Sequence, residues 1–480
     1  MDTMTSGRLT LDSSELDKFF ALAGQKSSAT LAAWDPEKGA PVFTVQGKYQ
    51  ARNWTLWTEG FLLGIPLLVF DGIGDEALLK AAQQHIEKHM ARHVSNIGVH
   101  DHGFNNISTY GNLRRLMLGK KIRFDRHYLN FMEMALKASG AVQAARWTAI
   151  PTDPEKNPTC RDTGFIYSFN GPHSLFSDTI RSLRALVVAW QLNHELYGEN
   201  DRPINLLARS IHHGLTTAKY NIFYGTGRDF YDTQLGRVAH ESIFNINDGQ
   251  FRCPSSQQGF SPFTTWTRGL AWLLLGFAEQ LEFLLTLDNV HWSVLTRYFK
   301  GYSGSELKNM VMDTYLKAAL ATAQWYRLNS FSDGMVYWDS GAPHLPHPVT
   351  YRNTPSDPFN DHEPIDSSAA AIAGQGFIRL GCYLQRSRTG SGTDYFPDGF
   401  RIAKTLFSEP YLSTSPDHQG IILHSVYHRP NGCDYIPPGR KIPCGESSLW
   451  GDYHAVELAL LLKAFVNGGS YHFFDHQGLG

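Results

Sequence analysis

Residues 57–89 read WTEGFLLGIPLLVFDGIGDEALLKAAQQHIEKH. Two runs in this stretch carry apolar residues at the i, i+3, i+4 and i+7 spacing of a helix, and GIGD (72–75) interrupts them between Phe70 and Glu76. A turn that short makes the two helices antiparallel neighbours. The same pattern recurs along the chain. Helices are expected near 13–23, 54–70, 76–93, 104–118, 124–140, 176–197, 203–218, 267–287, 305–328, 367–386, 396–408 and 447–466. Paired, they make six hairpins, and the expected fold is all-α, an (α/α)6 barrel whose inner helices line a funnel. Strand-like runs are few, the best being 220–224 (YNIFY), 334–339 (GMVYWD) and 420–427 (GIILHSVY). Three connections, 149–172, 224–262 and 340–364, exceed the ~12–15 residues usual for a compact domain and are rich in aromatic and polar residues, so they are expected to form the rim of one cleft.

A length of 480 residues at roughly 150 per domain would allow three domains. No linker is polar and featureless enough to divide the chain, so a single domain is expected, with 1–50 as a lead contributing one barrel helix and 51–480 as the catalytic barrel. Lys plus Arg number 43 against 45 Asp plus Glu, a formal charge of −2, and charged residues make up 18%. Such a balance argues against nucleic acid or an anionic membrane as partner. Aromatic residues reach 13% and histidines number 21, enough for a large core and for stacking surfaces in a cleft. Five cysteines (Cys160, Cys253, Cys382, Cys433, Cys444) without C-x-x-C spacing imply neither a disulfide framework nor a thiolate zinc site. The first ten residues, MDTMTSGRLT, lack the regions of a signal peptide, and the apolar runs 270–278 and 455–466 fall short of the ~20 residues of a membrane span. A soluble, reducing, cytoplasmic setting is expected.

The densest chemical signal is His100-Asp101-His102-Gly103-Phe104, at the entrance to a helix. Asp101 there reads either as an N-cap or as an acid aimed into the funnel. Asp178, in FSDTI (176–180), admits the same two readings. Two acids at inner-helix starts would face each other across a cleft, as glycosidic chemistry requires. His100, His102, His212, His213 and the run Asp361-His362-Glu363 raise the idea of a metal, but no spacing matches a helical ligand pattern, and neither metal nor cofactor is expected. WTEG (57–60), WTRG (266–269) and SLWGDY (448–453) each set an indole beside polar groups and a glycine at a helix start. Such indoles pack in cores or stack on sugars, and the guanidinium of Arg268 could grip a carboxylate in a fork.

In this order, these segments resemble glycoside hydrolase family 88, the unsaturated glucuronyl hydrolases. WTEGF (57–61) looks like the family's W-T-[DE]-G-F, HDHGF (100–104) like H-D-x-G-F, and Asp178 with its helix like I-D-x-x-x-N-L. HGLTT (213–217) is similar to H-A-x-T-T, QGF (258–260) before WTRGLAW (266–272) to Q-G-Y then W-x-R-G-x-A-W, and DSS (366–368) and GESSLWGDY (445–453) complete the run. The resemblance implies an (α/α)6 barrel that removes a Δ4,5-unsaturated uronate from oligosaccharides left by polysaccharide lyases. It makes Asp178 the general acid/base, Asp101 the second essential acid, and Trp57, His213, Gln258 and Arg268 the lining of the uronate subsite. Phe169 is the nearest counterpart of a family tryptophan, and Ser367 falls where the next sugar is contacted. Two departures stand out: Arg181-Ser182 occupies the place of an asparagine after Asp178, and His102 adds a protonatable group beside Asp101. Burial and repulsion from Asp101 are expected to raise the pKa of Asp178 so that it is protonated at rest. The partner expected is an unsaturated uronate-containing oligosaccharide, with the protein a monomer or homodimer. Alternatives on the same barrel are an unsaturated rhamnogalacturonyl hydrolase, a glucuronidase for saturated uronates, and a sugar epimerase or isomerase using His212 and His213.

Overall fold

The computed structural model describes residues 11–54, 56–153, 161–232, 234–388 and 392–475. Cys160 and parts of the 149–172 connection lie outside them, and the four described cysteines carry free thiols. The fold is an (α/α)6 barrel. Its inner ring consists of Glu59–Ile73, the π-helical stretch Gly103–Gly111 continued as Asn112–Leu118, Thr179–Ser182 with Arg184–Gln191, Thr267–Leu284, Ser367–Ser387 and Leu449–Val466. Each packs on the next, and the last closes on the first. The outer layer consists of Ser13–Ala33, Glu76–His89, Arg126–Ala145, Leu206–Tyr220, Gly304–Asn329 and Phe396–Leu406.

The two layers start their helices differently. Five of the six outer helices are capped locally: Asp12, Asp75, Asp125, Asn205 and Ser303 each accept backbone N–H bonds of the first turn. Four inner helices have no side-chain cap, at Thr58, His102, Asp178 and Trp266, so the side chains at their open ends are free for other work. The N-cap reading of Asp101 and Asp178 is thereby corrected, because neither carboxylate caps its helix.

Glu59–Ile73 is buried on nearly every side. The window 56–73 is long and apolar enough to cross a membrane by length and composition, a stretch the sequence reading passed over, and here it is an inner helix apolar all round because it is packed all round. Neighbouring inner helices approach backbone to backbone. A Cβ on Gly103 would lie 2.2 Å from the Ser182 carbonyl oxygen, and one on Gly60 2.3 Å from the Asn105 Cα. The helix expected at 13–23 runs to Ala33, because its buried face changes from Leu16, Phe19 and Phe20 to Lys26, Ser27 and Thr30, which hides the period. Lys26 donates to Ser413 Oγ (2.9 Å) and the Ser415 carbonyl (2.7 Å).

Strands expected at 334–339 and 420–427 form only isolated bridges. The second segment gives its amides to carboxylates instead: Ile421 and Ile422 donate to Asp452, and Val426 to Asp366. A three-stranded antiparallel sheet that the sequence did not announce orders Phe251–Ser255, Glu241–Phe244 and Ser174–Phe176 over a small second core of Ile150, Phe165, Leu175, Tyr220 and Phe244.

Between the inner helices, beyond the uncapped starts, six charged side chains, each no more than 2% exposed, interlock. Arg181 pairs with Glu279 and with Glu457 (2.7 Å), Arg184 approaches Glu457 (3.7 Å), and Arg379 reaches Glu279 (3.4 Å) and Glu282 (2.8 Å). Removing one partner from such a lattice strands the others in a medium that cannot solvate them. Arg181→Leu is therefore expected to cost about 3–5 kcal/mol of stability, read as a lowered urea midpoint; an unfolding curve superimposable on the wild type would refute the assignment.

Candidate active site

The first residues of the uncapped inner helices converge at the open end of the barrel. His100 bridges the two acids, with Nε2 3.1 Å from Asp178 Oδ1 and 3.7 Å from Asp101 Oδ1. Ser182 fixes this segment by donating to the His100 carbonyl (2.6 Å) and accepting from Gly103 N–H (2.9 Å) and Gln143 (2.9 Å). The departure from the family pattern at 181–182 thus has two structural uses: Arg181 joins the buried lattice, and Ser182 holds the strand of chain that carries Asp101.

The charge distribution differs from the sequence expectation. Burial opposes ionisation of Asp178, but the hydrogen bond and charge of His100, with His240 and Arg268, outweigh it, so the Asp178 carboxyl lies below the ordinary carboxylate range. Burial and the neighbouring Asp178 charge raise Asp101 instead. His100 is raised, because its two acidic neighbours overcome burial. The electrostatics of the site therefore favour the proton on His100 over Asp178, and the acid with elevated affinity for a proton is Asp101. His102 does not add a working proton site: it is bonded to Ser139 Oγ (3.0 Å) and the Asn96 carbonyl (2.9 Å), and burial pushes it down to about 4.

An arc of rings surrounds these acids. Trp57 stacks on Trp450 (5.3 Å between centroids), the Arg268 guanidinium lies between Trp450 (4.7 Å) and Trp266 (4.6 Å), Trp266 meets His240 (4.7 Å), and His240 meets Phe176 (4.5 Å). Phe169 closes the arc by stacking on His100 (5.9 Å, 21° between planes), and the exposed Trp54 leans on Phe169 (6.1 Å).

Arg268, Gln258, His213, Trp57 and Phe169 thus stand around Asp178, but not all in the state the sequence suggested. Arg268 Nη1 donates to Asp366 (3.0 Å) and to the Val426 carbonyl, and Nη2 to Gln258 Oε1 (3.0 Å) and the Tyr427 carbonyl (2.8 Å). The fork is filled by the protein's own acceptors. Ser367 is fully buried and meets Ser425 Oγ (3.2 Å), facing chain and not open cleft. His213 accepts the Ile166 N–H at Nδ1 (3.0 Å), whereas His212 turns outward onto Thr163 (3.0 Å), the Tyr298 carbonyl (3.1 Å) and the Phe299 ring (4.0 Å), so the two histidines do not face one substrate as an epimerase pair would. Among the described residues no three His, Cys, Asp or Glu side chains converge as a metal site.

Sequence reasoning did not single out His100 for the acid pair, although it is the first letter of the HDHGF motif. It also missed His240, which carries no local signal: it lies at the start of the sheet inserted in the 224–262 connection and reaches Asp178 only through the fold.

No family model matches the chain. Among curated proteins it is 23% identical over 434 residues to an unsaturated glucuronyl hydrolase of Bacillus sp. (strain GL1), covering 88% of this chain and 90% of that one. It is 24% identical over 353 residues to an unsaturated glucuronyl hydrolase of Formosa agariphila, covering 66% and 72%. Among solved structures, an unsaturated glucuronyl hydrolase specific for heparin superposes with a TM-score of 0.66 at 19% identity over 96% of this chain and 100% of that one. The Bacillus sp. GL1 enzyme superposes with a TM-score of 0.63 at 20% identity over 94% and 97%. Motifs in register along a shared barrel, with two relatives of the same name covering most of the chain or two thirds of it, make this protein similar to the unsaturated glucuronyl hydrolases in sequence and in fold.

Proposed function

We propose that the protein is a glycosidase that releases a Δ4,5-unsaturated uronate from the non-reducing end of oligosaccharides by hydrating the C4=C5 double bond. The observation that carries this reading is the buried Asp101–His100–Asp178 cluster at the mouth of an aromatic cleft. In such a substrate the double bond is a vinyl ether, so protonation at C4 leaves a cation at C5 that the ring oxygen stabilises, and no displacement at C1 is needed. Asp178 delivers the proton to C4. Its carboxylate then takes a proton from the water that attacks C5, and the resulting hemiketal opens and expels the aglycone. One group serves as acid and then as base.

Asp178 is ionised at rest, and the proton it needs sits 3.1 Å away on His100. A sugar entering the cleft displaces water, and desolvation favours the neutral imidazole and carboxylic acid over the ion pair. Substrate binding thus moves the proton from Nε2 to Oδ1 and arms the acid only when there is something to protonate. The position of Asp101 beside His100 keeps the cluster's proton affinity high. A panel of lyase-generated unsaturated disaccharides, sulfated and unsulfated, tests the reading directly: ultraviolet absorbance of the conjugated bond is expected to disappear for at least one member, with saturated uronides untouched. Persistence of the absorbance across the panel would refute it.

Two variants test the roles. Asp178→Asn is expected to lose roughly 10²–10⁴ in kcat with an unchanged melting temperature, and near-normal turnover would exclude Asp178 as the acid. His100→Gln removes the group that stores the proton. The alkaline limb of kcat/KM, set in the wild type above the ordinary imidazole value of 6.5, is then expected to move to lower pH, towards the range of a buried carboxyl group. An alkaline limb left in place by this substitution would show that His100 does not hold the proton.

A further inference from the structure

The buried face of Ser13–Ala33 turns polar at Lys26, Ser27 and Thr30, and the reason lies in what this end of the helix borders. A buried ammonium persists only if its donors are met. Lys26 meets them in one distant loop, donating to Ser413 Oγ (2.9 Å) and to the carbonyls of Ser415 (2.7 Å) and His418 (2.5 Å). Gln419, next in that loop, gives its N–H to the Gly47 carbonyl (2.8 Å) and accepts the Tyr49 N–H at Oε1 (2.6 Å). Helix end, loop and the antiparallel hairpin of Pro41–Val45 with Lys48–Ala51 thus frame a cleft of about 450 Å³, a size typical of small-molecule sites.

Two rings in its lining are held rigidly. Trp34 donates from Nε1 to the Gly39 carbonyl (3.0 Å), and its indole is backed by the rings of His85 and His89 (5.4 Å each). Tyr49 is fixed by its hydroxyl, which donates to Asp452 Oδ2 (2.6 Å). The polar groups beside these rings are amides and a hydroxyl. Gln419 offers Nε2, since its Oε1 is taken, and Gln50 offers an exposed amide. Thr30, 6% exposed, has no partner for Oγ1 among the described residues, although a helical threonine commonly bonds the carbonyl one turn back. A buried hydroxyl left unpaired is uncommon enough to call for an explanation. Asp35 and Lys38 at the rim pair with each other (3.3 Å), so the lining carries no surplus charge.

We propose that this cleft is a second saccharide-binding site, on the outer layer of the barrel and separate from the catalytic cleft, that takes neutral hexose units of an oligosaccharide or polysaccharide chain. Rings with their polar ends already satisfied offer faces for the C–H side of a pyranose, and amides and a hydroxyl match its hydroxyl groups. Cancelled charge at the rim disfavours an ionic ligand, and the polar lining disfavours an aliphatic one. The residues that form the cleft are not those around Asp178. One hairpin serves both places: Tyr49 lines the outer cleft, whereas Phe43 on the paired strand stacks on Tyr427 (5.8 Å), whose carbonyl accepts from Arg268 in the catalytic wall. The assignment goes beyond the proposed hydrolysis and does not depend on it.

The test is affinity electrophoresis of the full-length protein in native gels cast with soluble neutral polysaccharides, namely hydroxyethylcellulose, glucomannan and dextran. At least one polymer is expected to retard the wild type. Trp34→Ala is expected to weaken that retardation by roughly tenfold or more in apparent dissociation constant, with the melting temperature retained. Phe169→Ala, which removes an exposed ring of the catalytic cleft, is expected to leave the retardation in place. Free migration of the wild type in all three gels overturns the proposal, as does equal retardation of Trp34→Ala. Retardation abolished by Phe169→Ala overturns it too, because the sugar would then sit in the catalytic cleft. Should Trp34→Ala not fold, amide hydrogen exchange of the wild type decides, with a hexasaccharide of the retarding polymer as probe. Protection is expected within 30–51 and at 419–420, and its absence there at saturation overturns the proposal. No arm reads turnover, so failure of the proposed hydrolysis and failure of this assignment are separate results.

Discussion

The barrel depends on keeping three arginines and three glutamates together where water cannot reach them. Arg181, Arg184, Arg379, Glu279, Glu282 and Glu457 come from four different inner helices, and each ion's penalty for leaving water is offset only if every other helix is in place. The lattice is balanced in charge, and it makes closure of the ring cooperative: a helix rotated by one residue would leave an ion unpaired. Arg181 lies one turn beyond Asp178 on the same short helix, so the lattice also fixes which way the Asp178 carboxylate faces. Glycines at the helix contacts permit the approach this requires, since Gly103 rests directly on Ser182.

At the open end the design is reversed. Four of the six inner helices there lack side-chain caps, and the polar groups freed by this form a cluster in which His100 stands between two acids. Around it, stacked rings exclude water and strengthen every charge–charge term. Arg268 is the keystone of that wall: it is held between two indoles and ties Asp366, at the start of the fifth inner helix, to the 426–427 segment and to Gln258. A guanidinium so occupied shapes the cleft.

Much of the fold was legible because helical periodicity is a local property. The twelve expected helices correspond to the inner and outer rings, and what blurred their ends was equally local: Lys26, Ser27 and Thr30 on a buried face look like a surface. The 334–339 and 420–427 segments read as strands because β-branched and aromatic residues cluster there, yet the first bonds to backbone groups near 266 and 365 and the second to carboxylates on distant helices, which no window of sequence contains. Asp101 and Asp178 were legible as candidates, but the choice between cap and acid was not, since a cap and a catalytic carboxylate occupy the same place at a helix start and differ only in where the side chain turns.

The sequence alone therefore determined the barrel, the family resemblance and the candidacy of the two acids, because spacing and motif order are carried by the chain itself. Only the tertiary structure decided which acid has the raised proton affinity, that Arg268 is spent on its own walls, and that the charge of His240 reaches Asp178. Proton affinity depends on the sum of desolvation and neighbouring charges, and hydrogen-bond availability depends on which acceptors have already been met. Both are properties of residues brought together from remote parts of the chain.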